Sequence, residues 1–299
     1  MAVSVRPDNG STFASKGPLM NRRYLYRRAR TPLALMATAT VAAALFAASI
    51  GPASAGKPSA PQQRKPTVVL VHGAFADSSS WNGVLKKLKR EGYPVVAAAI
   101  PLRGLSSDAA YLKDLLAGID GPVVLAAHSC GGAVISNAAH GADNVKALVY
   151  IAAFIPDKRE RALALADKFP RSTLGSALHP VPISLPDGSK ETDFHIDQDT
   201  FHHHFTADVP RNTADLMAVT QRRVTGAALG EPASESAWAT VPSWALPAGK
   251  DLNIPSRTRF FVAERAKAHI VEVRASHAVS VSHPDDVADI IEKAARTVR

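Results

Sequence analysis

The sequence predicts an α/β fold, with a mostly parallel sheet covered by helices on both faces. Short runs such as Thr67–Val71 are apolar at every position, which is typical of strands buried on both faces. Segments in which apolar residues recur with helical spacing alternate with these runs, and the first such segment closes at Gly92. Parallel strands need crossover connections of this kind, so the alternation indicates a parallel sheet.

The first half of the domain shows this alternation without interruption. The predicted strands are, in chain order, 67–71, 95–100, 123–127 and 145–154. The predicted helices between them cover 81–91, 107–119 and a segment that starts at Ala133. No internal repeat is visible, and about 240 residues are enough to bury a core within one domain.

The alternation stops at about residue 155 and resumes after about residue 239. The part between has helical pieces, several prolines and polar clusters. We expect it to form a helical cap that folds over the sheet and shapes a substrate pocket. The earlier order then returns with a strand at 243–247, a helix at 255–266, a strand at 269–275 and a helix from Pro284.

Residues 1–55 have the features of a twin-arginine export signal. The pair Arg22-Arg23 precedes a weakly apolar, Ala-rich run at 32–50, and Ala53-Ser54-Ala55 forms a small-x-small cleavage site. We therefore expect a secreted or periplasmic protein with no stable membrane anchor after cleavage. An uncleaved anchor is the alternative, because the run approaches the length that spans a bilayer.

The rest of the chain divides into a short linker and one domain. Residues 56–65 are polar and contain proline, which predicts a flexible linker. The domain then occupies 66–299. Both Met1 and Met20 are candidate starts, because the signal features lie after Met20 and the basic segment before it is dispensable for them.

The net charge does not indicate a nucleic-acid partner. Lys and Arg total 35 against 26 Asp and Glu, but residues 1–55 hold seven of the former and one of the latter. The remainder has 28 against 25, so the high isoelectric point belongs largely to the signal. Cys130 is the single cysteine, which excludes an internal disulfide.

The strand at 123–127 leads directly into a predicted nucleophile elbow. Ser129 stands where the apolar strand ends and glycines open a helix. A sharp strand-to-helix turn brings the residues two before and two after the serine close together, so both must be small. They are Ala127 and Gly131, which makes the motif Ala-x-Ser-x-Gly. The same pattern also arises by chance in an Ala-rich chain, so the rest of the sequence has to support it.

A serine nucleophile needs a base and an acid that orients it, on loops after later strands in the order Ser, acid, His. Asp251 follows the strand at 243–247 and is the candidate acid. Asp157, after an earlier strand, is the alternative. His277 follows the strand at 269–275 and is the candidate base, because its ordinary pKa lies near neutral pH. His283 competes with it, but the next residue is proline, which favours a helix start.

The oxyanion of a tetrahedral intermediate needs main-chain donors. One is expected from Cys130, directly after the nucleophile, and the other from Ala74, directly after His72-Gly73. Phe75 is an alternative for the second donor. Cys130 is interpreted as a small pocket-wall residue, with a role as second nucleophile as the alternative.

Four segments together resemble the α/β-hydrolase superfamily. They are Val-His-Gly-Ala-Phe with Ser80-Trp81, Ala-His-Ser-Cys-Gly-Gly, Gly-Lys-Asp-x-x-Ile-Pro and Ala-Ser-His-Ala-Val. The resemblance covers nearly all of 66–299. Within the superfamily the chain is similar to exported bacterial members related to the plant methyl esterase and hydroxynitrile lyase group. Members more often have Gly, and Tyr or Leu, where this chain has Ala127 and Cys130, a departure that bears on substrate preference.

The resemblance implies the same site residues as the spacing does. Carried over by position, they are the triad Ser129, Asp251 and His277 with the oxyanion donors Ala74 and Cys130. No cofactor is expected. No metal is expected either, because the adjacent histidines at 202–204 lack the spacing of helical metal ligands.

These observations predict a serine hydrolase that cleaves small-molecule carboxylic esters through an acyl-enzyme on Ser129. A lyase or a perhydrolase that uses the same triad is one alternative, because a fold does not fix its chemistry. A weakly catalytic ligand-binding protein is the other. The acyl and alcohol groups of the substrate depend on the cap, which is the least readable part of the chain.

Overall fold

The computed structural model describes residues 64–170, 172–185 and 187–298. The predicted export signal at 1–55 and nearly all of the predicted linker at 56–65 lie outside the described residues. Within the described ranges, no helix combines the length and the apolarity needed to cross a bilayer.

The main sheet has six parallel strands in the order β2-β1-β3-β4-β8-β9. β3, which carries the candidate nucleophile at its end, lies in the interior of the sheet. The strands of this sheet are β1 Thr67–Val71, β2 Val95–Ala98, β3 Val123–His128, β4 Val145–Ile151, β8 Ser243–Leu246 and β9 His269–Ile270.

Helices cover both faces of this sheet, which confirms the predicted fold class. Among the described residues, the helices of the core are α1 Asn82–Arg90, α2 Leu105–Ala117, α3 Gly131–Ala138, α9 Ser256–Arg265, α10 Val279–Ser282 and α11 Pro284–Thr297. A 3₁₀ turn at Ser78–Trp81 precedes α1. The last helix starts at Pro284, as predicted, and His283 is the residue that caps it.

The two faces of the sheet have separate apolar cores, which explains why the interior strands are apolar at most positions of both kinds. Val69 and Val71 pack into one core, and Val68 and Leu70 pack into the other. Successive side chains of a strand point to opposite faces, so a strand between two helical layers needs apolar residues at both kinds of position.

The cap contains helices, as predicted, and also a three-stranded antiparallel sheet that the sequence did not reveal. The strands of this sheet are β5 Leu178–Ser184, β6 Lys190–Ile196 and β7 Val224–Thr225. The helices of the cap are α4 Ala162–Ala166, α5 Leu174–Ala177, α6 Gln198–His204, α7 Arg211–Thr220 and α8 Gly226–Gly230.

The prediction missed this sheet because its strands have little apolar signal. β5 contains Pro180 and Pro182, and proline is tolerated only at sheet edges, where β5 lies. β6 is polar at most positions, and only Asp193 and Ile196 of its residues are buried. Strands of this kind resemble loops in a sequence.

Three predicted strands of the core end at least two residues earlier than expected. The strand predicted at 145–154 ends at Ile151. The strand predicted at 95–100 ends at Ala98, because the N–H of Ile100 turns away and donates to Nε2 of His72 at 3.0 Å. The strand predicted at 269–275 ends at Ile270, and beyond it a single bridge joins Ala248 to Val273.

Candidate active site

The chain turns sharply between β3 and α3, and Ser129 occupies the turn. Its backbone φ is 55°, a left-handed conformation that is uncommon for a residue with a side chain. The Ser129 carbonyl accepts hydrogen bonds from the N–H groups of Gly132 at 3.0 Å and Phe154 at 3.1 Å. These bonds hold the strained residue in place, as expected of a functional turn.

Glycines surround this turn because nothing larger fits. A Cβ on Gly131 would lie 2.8 Å from the carbonyl oxygen of His72, and a Cβ on Gly132 would lie 2.1 Å from that of Phe154. A Cβ on Gly73 would lie 2.6 Å from the Cβ of Ser129. All of these distances are shorter than real Cβ contacts, so the backbone segments approach each other closely at the serine.

The candidate acid and base meet directly. Asp251 follows β8 and His277 lies beyond β9, and Oδ2 of Asp251 is 2.8 Å from Nδ1 of His277. Both side chains are fully or almost fully buried. An ionised carboxylate only accepts, so Nδ1 of His277 donates to it, and Nε2 is the ring nitrogen that remains for proton transfer.

Asp251 is held as a carboxylate by its surroundings. Burial by itself raises the pKa of Asp251, but the charge of His277, the hydrogen bond from it and the charge of Arg259 together hold that pKa below its usual value. Nη1 of Arg259 is 3.7 Å from Oδ2. The other oxygen, Oδ1, accepts from the N–H groups of Asn253 at 2.7 Å and Ile254 at 3.2 Å.

A second buried histidine, His128, contacts the backbone of the candidate base His277. Burial lowers the pKa of His128 to about 3, so this imidazole is neutral at physiological pH. Its Nε2 donates to the carbonyl oxygen of His277 at 2.8 Å, and the two ring centroids are 4.6 Å apart. Because Ser129 is the next residue after His128, the hydroxyl and the candidate base lie at the same end of the sheet.

No side-chain hydrogen bond joins Ser129 to His277 among the described residues. Among the side-chain hydrogen bonds of the described residues, none involves Oγ of Ser129. Catalytic hydrogen bonds often tighten only when substrate is bound.

The alternative acid, Asp157, has other partners than the base. Its Oδ1 accepts from the hydroxyl of Ser236 and from the N–H of Lys158.

The structure places the candidate oxyanion donors together, but their N–H groups are not equally available. The N–H of Ala74 donates to Sγ of Cys130 at 3.2 Å. The N–H of the alternative donor, Phe75, donates to the carbonyl oxygen of Arg222 in the cap at 2.9 Å. Cys130 precedes the first residue of α3, where N–H groups have no partner within the helix.

Cys130 does not have the properties of a nucleophile. Burial raises the pKa of its thiol to about 12, so the thiol stays protonated. A nucleophilic cysteine needs a thiolate and partial exposure, whereas Cys130 is 4 % exposed. Its side chain instead faces the N–H of Ala74.

An aromatic residue of the cap packs against the candidate base. The ring of Phe205 packs edge-on against His277, with the centroids 5.0 Å apart, and also against His128 and Phe75. Phe205 directly follows α6, and nothing in the sequence indicated this contact. In the described part of the chain, no group of three or more His, Cys, Asp or Glu side chains is arranged to hold a metal ion.

Comparison with known proteins agrees with this geometry. The model of the alpha/beta hydrolase family matches residues 68–290. The chain belongs to that family. The matched range contains both the turn at Ser129 and the pair Asp251 and His277, so the candidate site lies wholly within the part that defines this α/β hydrolase.

Relatives of the α/β hydrolase are distant in sequence. It is 23% identical to the probable hydrolase R7 of Phoma sp., over 77% of this chain and 98% of that protein. The solved structure of polyneuridine aldehyde esterase is similar with a TM-score of 0.68 and 17% identity, over 77% of this chain and 99% of the other. A methylesterase from Arabidopsis has a TM-score of 0.65 and 16% identity, over 78% and 100% of the two chains.

Proposed function

We propose that this α/β hydrolase cleaves carboxylic esters through an acyl-enzyme on Ser129, with His277 as general base and Asp251 as the acid that orients it. The observation that carries the proposal is the buried 2.8 Å contact between Asp251 and His277, at the sheet end where Ser129 is held in a strained turn. A serine hydroxyl becomes a useful nucleophile only beside such an oriented base.

In the first half of the reaction, Oγ of Ser129 attacks the ester carbonyl carbon while Nε2 of His277 takes the hydroxyl proton. The carbonyl oxygen becomes an oxyanion, for which the N–H groups of Cys130 and Ala74 are the proposed donors. The N–H of Ala74 must first leave Sγ of Cys130, a weak acceptor that a charged oxygen displaces readily. Asp251 stabilises the imidazolium that forms.

In the second half, the C–O bond to the alcohol breaks and the alcohol leaves with the proton from His277. A water molecule then attacks the acyl-enzyme, giving its proton to Nε2 of His277. The second tetrahedral intermediate collapses to the free acid and regenerates the hydroxyl of Ser129. The chain's own residues supply every group used, so the proposed reaction needs no cofactor.

The similar solved structures favour an ester as the substrate. Two of them are named as esterases, polyneuridine aldehyde esterase and the methylesterase from Arabidopsis. The ring of Phe205 against His277, with Phe75 packed on the same ring, favours an ester with an apolar group on at least one side.

The test compares the purified protein with its Ser129→Ala variant on nitrophenyl esters of increasing acyl length. We expect the variant to lose essentially all activity, because only the serine can form the acyl-enzyme. Cys130→Ala is the matched control: it removes the neighbouring side chain but keeps both the serine and the main-chain donor. Equal hydrolysis by the wild type and Ser129→Ala would exclude the proposed reaction.

We also propose, on the sequence features alone, that residues 1–55 direct export. The mature protein should then begin near Gly56. N-terminal sequencing of protein recovered outside the cytoplasm tests this, and a chain that keeps residues before Ala53 would contradict it.

A further inference from the structure

The loop that carries the candidate base is held at each of its residues, 276–278. The N–H of Ser276 donates to Oδ2 of Asp208 at 2.9 Å, and its hydroxyl donates to Oδ1 of the same carboxylate. The carbonyl oxygen of His277 accepts from Nε2 of His128. The N–H of Ala278 donates to the carbonyl oxygen of Phe205 at 3.0 Å.

Of the three residues that hold the loop, Asp208 and Phe205 belong to the cap, and only His128 belongs to the sheet. Phe205 and Asp208 lie in the segment that follows α6, about 70 residues before the loop. Both carboxylate oxygens of Asp208 accept hydrogen bonds from Ser276, which fixes the direction of the contact as well as its distance. Ser276 and Ala278 are 3 % and 1 % exposed, so water does not compete freely for these bonds.

The loop needs these contacts because its main-chain pairing with the neighbouring strand ends directly before it. Beyond β9, the N–H of Val273 donates to the carbonyl oxygen of Pro247 at 3.1 Å, and the N–H of Lys250 donates to that of Ala275 at 2.9 Å. From Ser276 onward, hydrogen bonds from other elements hold the loop.

We propose that Asp208 is a positioning residue that holds the loop 276–278 so that His277 is in place to act as base. This inference rests on the proposed function of His277. The cap is then part of the catalytic arrangement as well as a cover over the substrate. His277 is held in position only while the cap segment 205–208 contacts the loop.

The test removes the carboxylate and then restores its hydrogen bonds without its charge. Asp208→Ala should lower kcat by about tenfold or more with KM within about threefold, because a small displacement of a catalytic group is costly. Asp208→Asn should recover most of kcat: the amide oxygen accepts the N–H of Ser276, and the amide N–H donates to its hydroxyl. Asp215→Ala is the control, because it removes an exposed cap carboxylate of α7.

A readout independent of turnover separates positioning from general damage. The proton between His277 and Asp251 should give a far-downfield NMR signal, assigned by its loss in His277→Gln. We expect the signal to broaden or disappear in Asp208→Ala and to persist in Asp208→Asn and Asp215→Ala. If Asp208→Ala does not fold, Asp208→Glu replaces it: the charge is kept but the carboxylate moves by one methylene, and the same losses are expected.

The inference fails if kcat of Asp208→Ala stays within tenfold of the wild type, if Asp208→Asn does not restore it, or if the proton signal is unchanged. These results differ from a failure of the proposed function, because that failure appears in the wild type itself as hydrolysis that persists in Ser129→Ala. If hydrolysis depends on Ser129 and Asp208→Ala remains fully active, only the role of Asp208 is lost.

Discussion

The sheet core and the cap position their functional residues in different ways. In the core, Ser129 and Asp251 stand at the carboxyl ends of strands, and close backbone packing fixes the serine. In the cap, Phe205 and Asp208 act through ring packing and individual hydrogen bonds across about 70 residues of sequence. The comparison teaches that the core holds the candidate reacting groups by backbone packing, while the cap contributes side-chain and hydrogen-bond contacts to the loop of the candidate base.

The largest effect expected in the core is that of Asp251→Asn. The amide keeps the size of the side chain but favours the wrong tautomer of His277, so kcat should fall by roughly 10⁴-fold. Asp157→Asn, at the alternative acid position, is the matched control and should retain nearly full kcat. Steady-state kinetics on a nitrophenyl ester checks both. If the two variants lose activity equally, Asp251 is not the acid that orients His277.

Glycine substitutions compare the packing of the two regions directly. Gly132→Ala in α3 should lower the free energy of unfolding by about 3 kcal/mol or more, because its Cβ would collide with the Phe154 carbonyl. Gly175→Ala in α5 of the cap meets nothing within 4 Å and should change that free energy by about 1 kcal/mol or less. Denaturant unfolding measures both. Similar values for the two would contradict the contrast in packing.

The buried neutral His128 should make stability depend on pH. Its pKa is about 3 in the folded protein against an ordinary value of 6.5. Between these values the unfolded chain binds more protons, so stability is lost as the pH falls, by up to about 1.4 kcal/mol per pH unit. His128→Gln keeps a donor for the carbonyl of His277 but cannot be protonated, so its unfolding free energy should depend less steeply on pH over this range. Parallel slopes would show that His128 is not the cause.

The smallest effect is expected on the outer surface of the cap. Leu216 on α7 is 66% exposed, so Leu216→Ala should change the free energy of unfolding by no more than about 0.5 kcal/mol. Thermal or denaturant unfolding at two protein concentrations checks this. A loss above 1 kcal/mol that depends on concentration would mean that this face of the cap is covered in solution.

The sequence predicted the core well because the core follows short-range rules. Strands buried on both faces are apolar throughout, and the turn after β3 demands glycine at positions where the backbone leaves no space for a side chain. The order of Ser129, Asp251 and His277, each after a different strand, then predicted that all three lie at one end of the sheet. The predicted α/β fold and its family resemblance are confirmed.

The cap and its contacts could not be predicted because they depend on tertiary packing. β5 contains two prolines and β6 is mostly polar, so neither has a strand signal. The hydrogen bonds from Ser276 to Asp208 and from Phe75 to Arg222 join residues that nothing in the sequence pairs. The hydrogen bond of the Ala74 N–H to the thiol of Cys130 likewise appears only once the two turns are packed together.

The central claim, that Ser129 is the nucleophile, is tested most directly by trapping the covalent intermediate. The protein is treated with an aryl phosphonate ester, which leaves a stable tetrahedral adduct on an attacking residue, and the adduct is located by mass spectrometry of the intact protein and its peptides. The account predicts one adduct, on Ser129, that is absent from Ser129→Ala and slow to form in His277→Ala. An adduct on Cys130, or unmodified Ser129 in a protein that still hydrolyses esters, would contradict it.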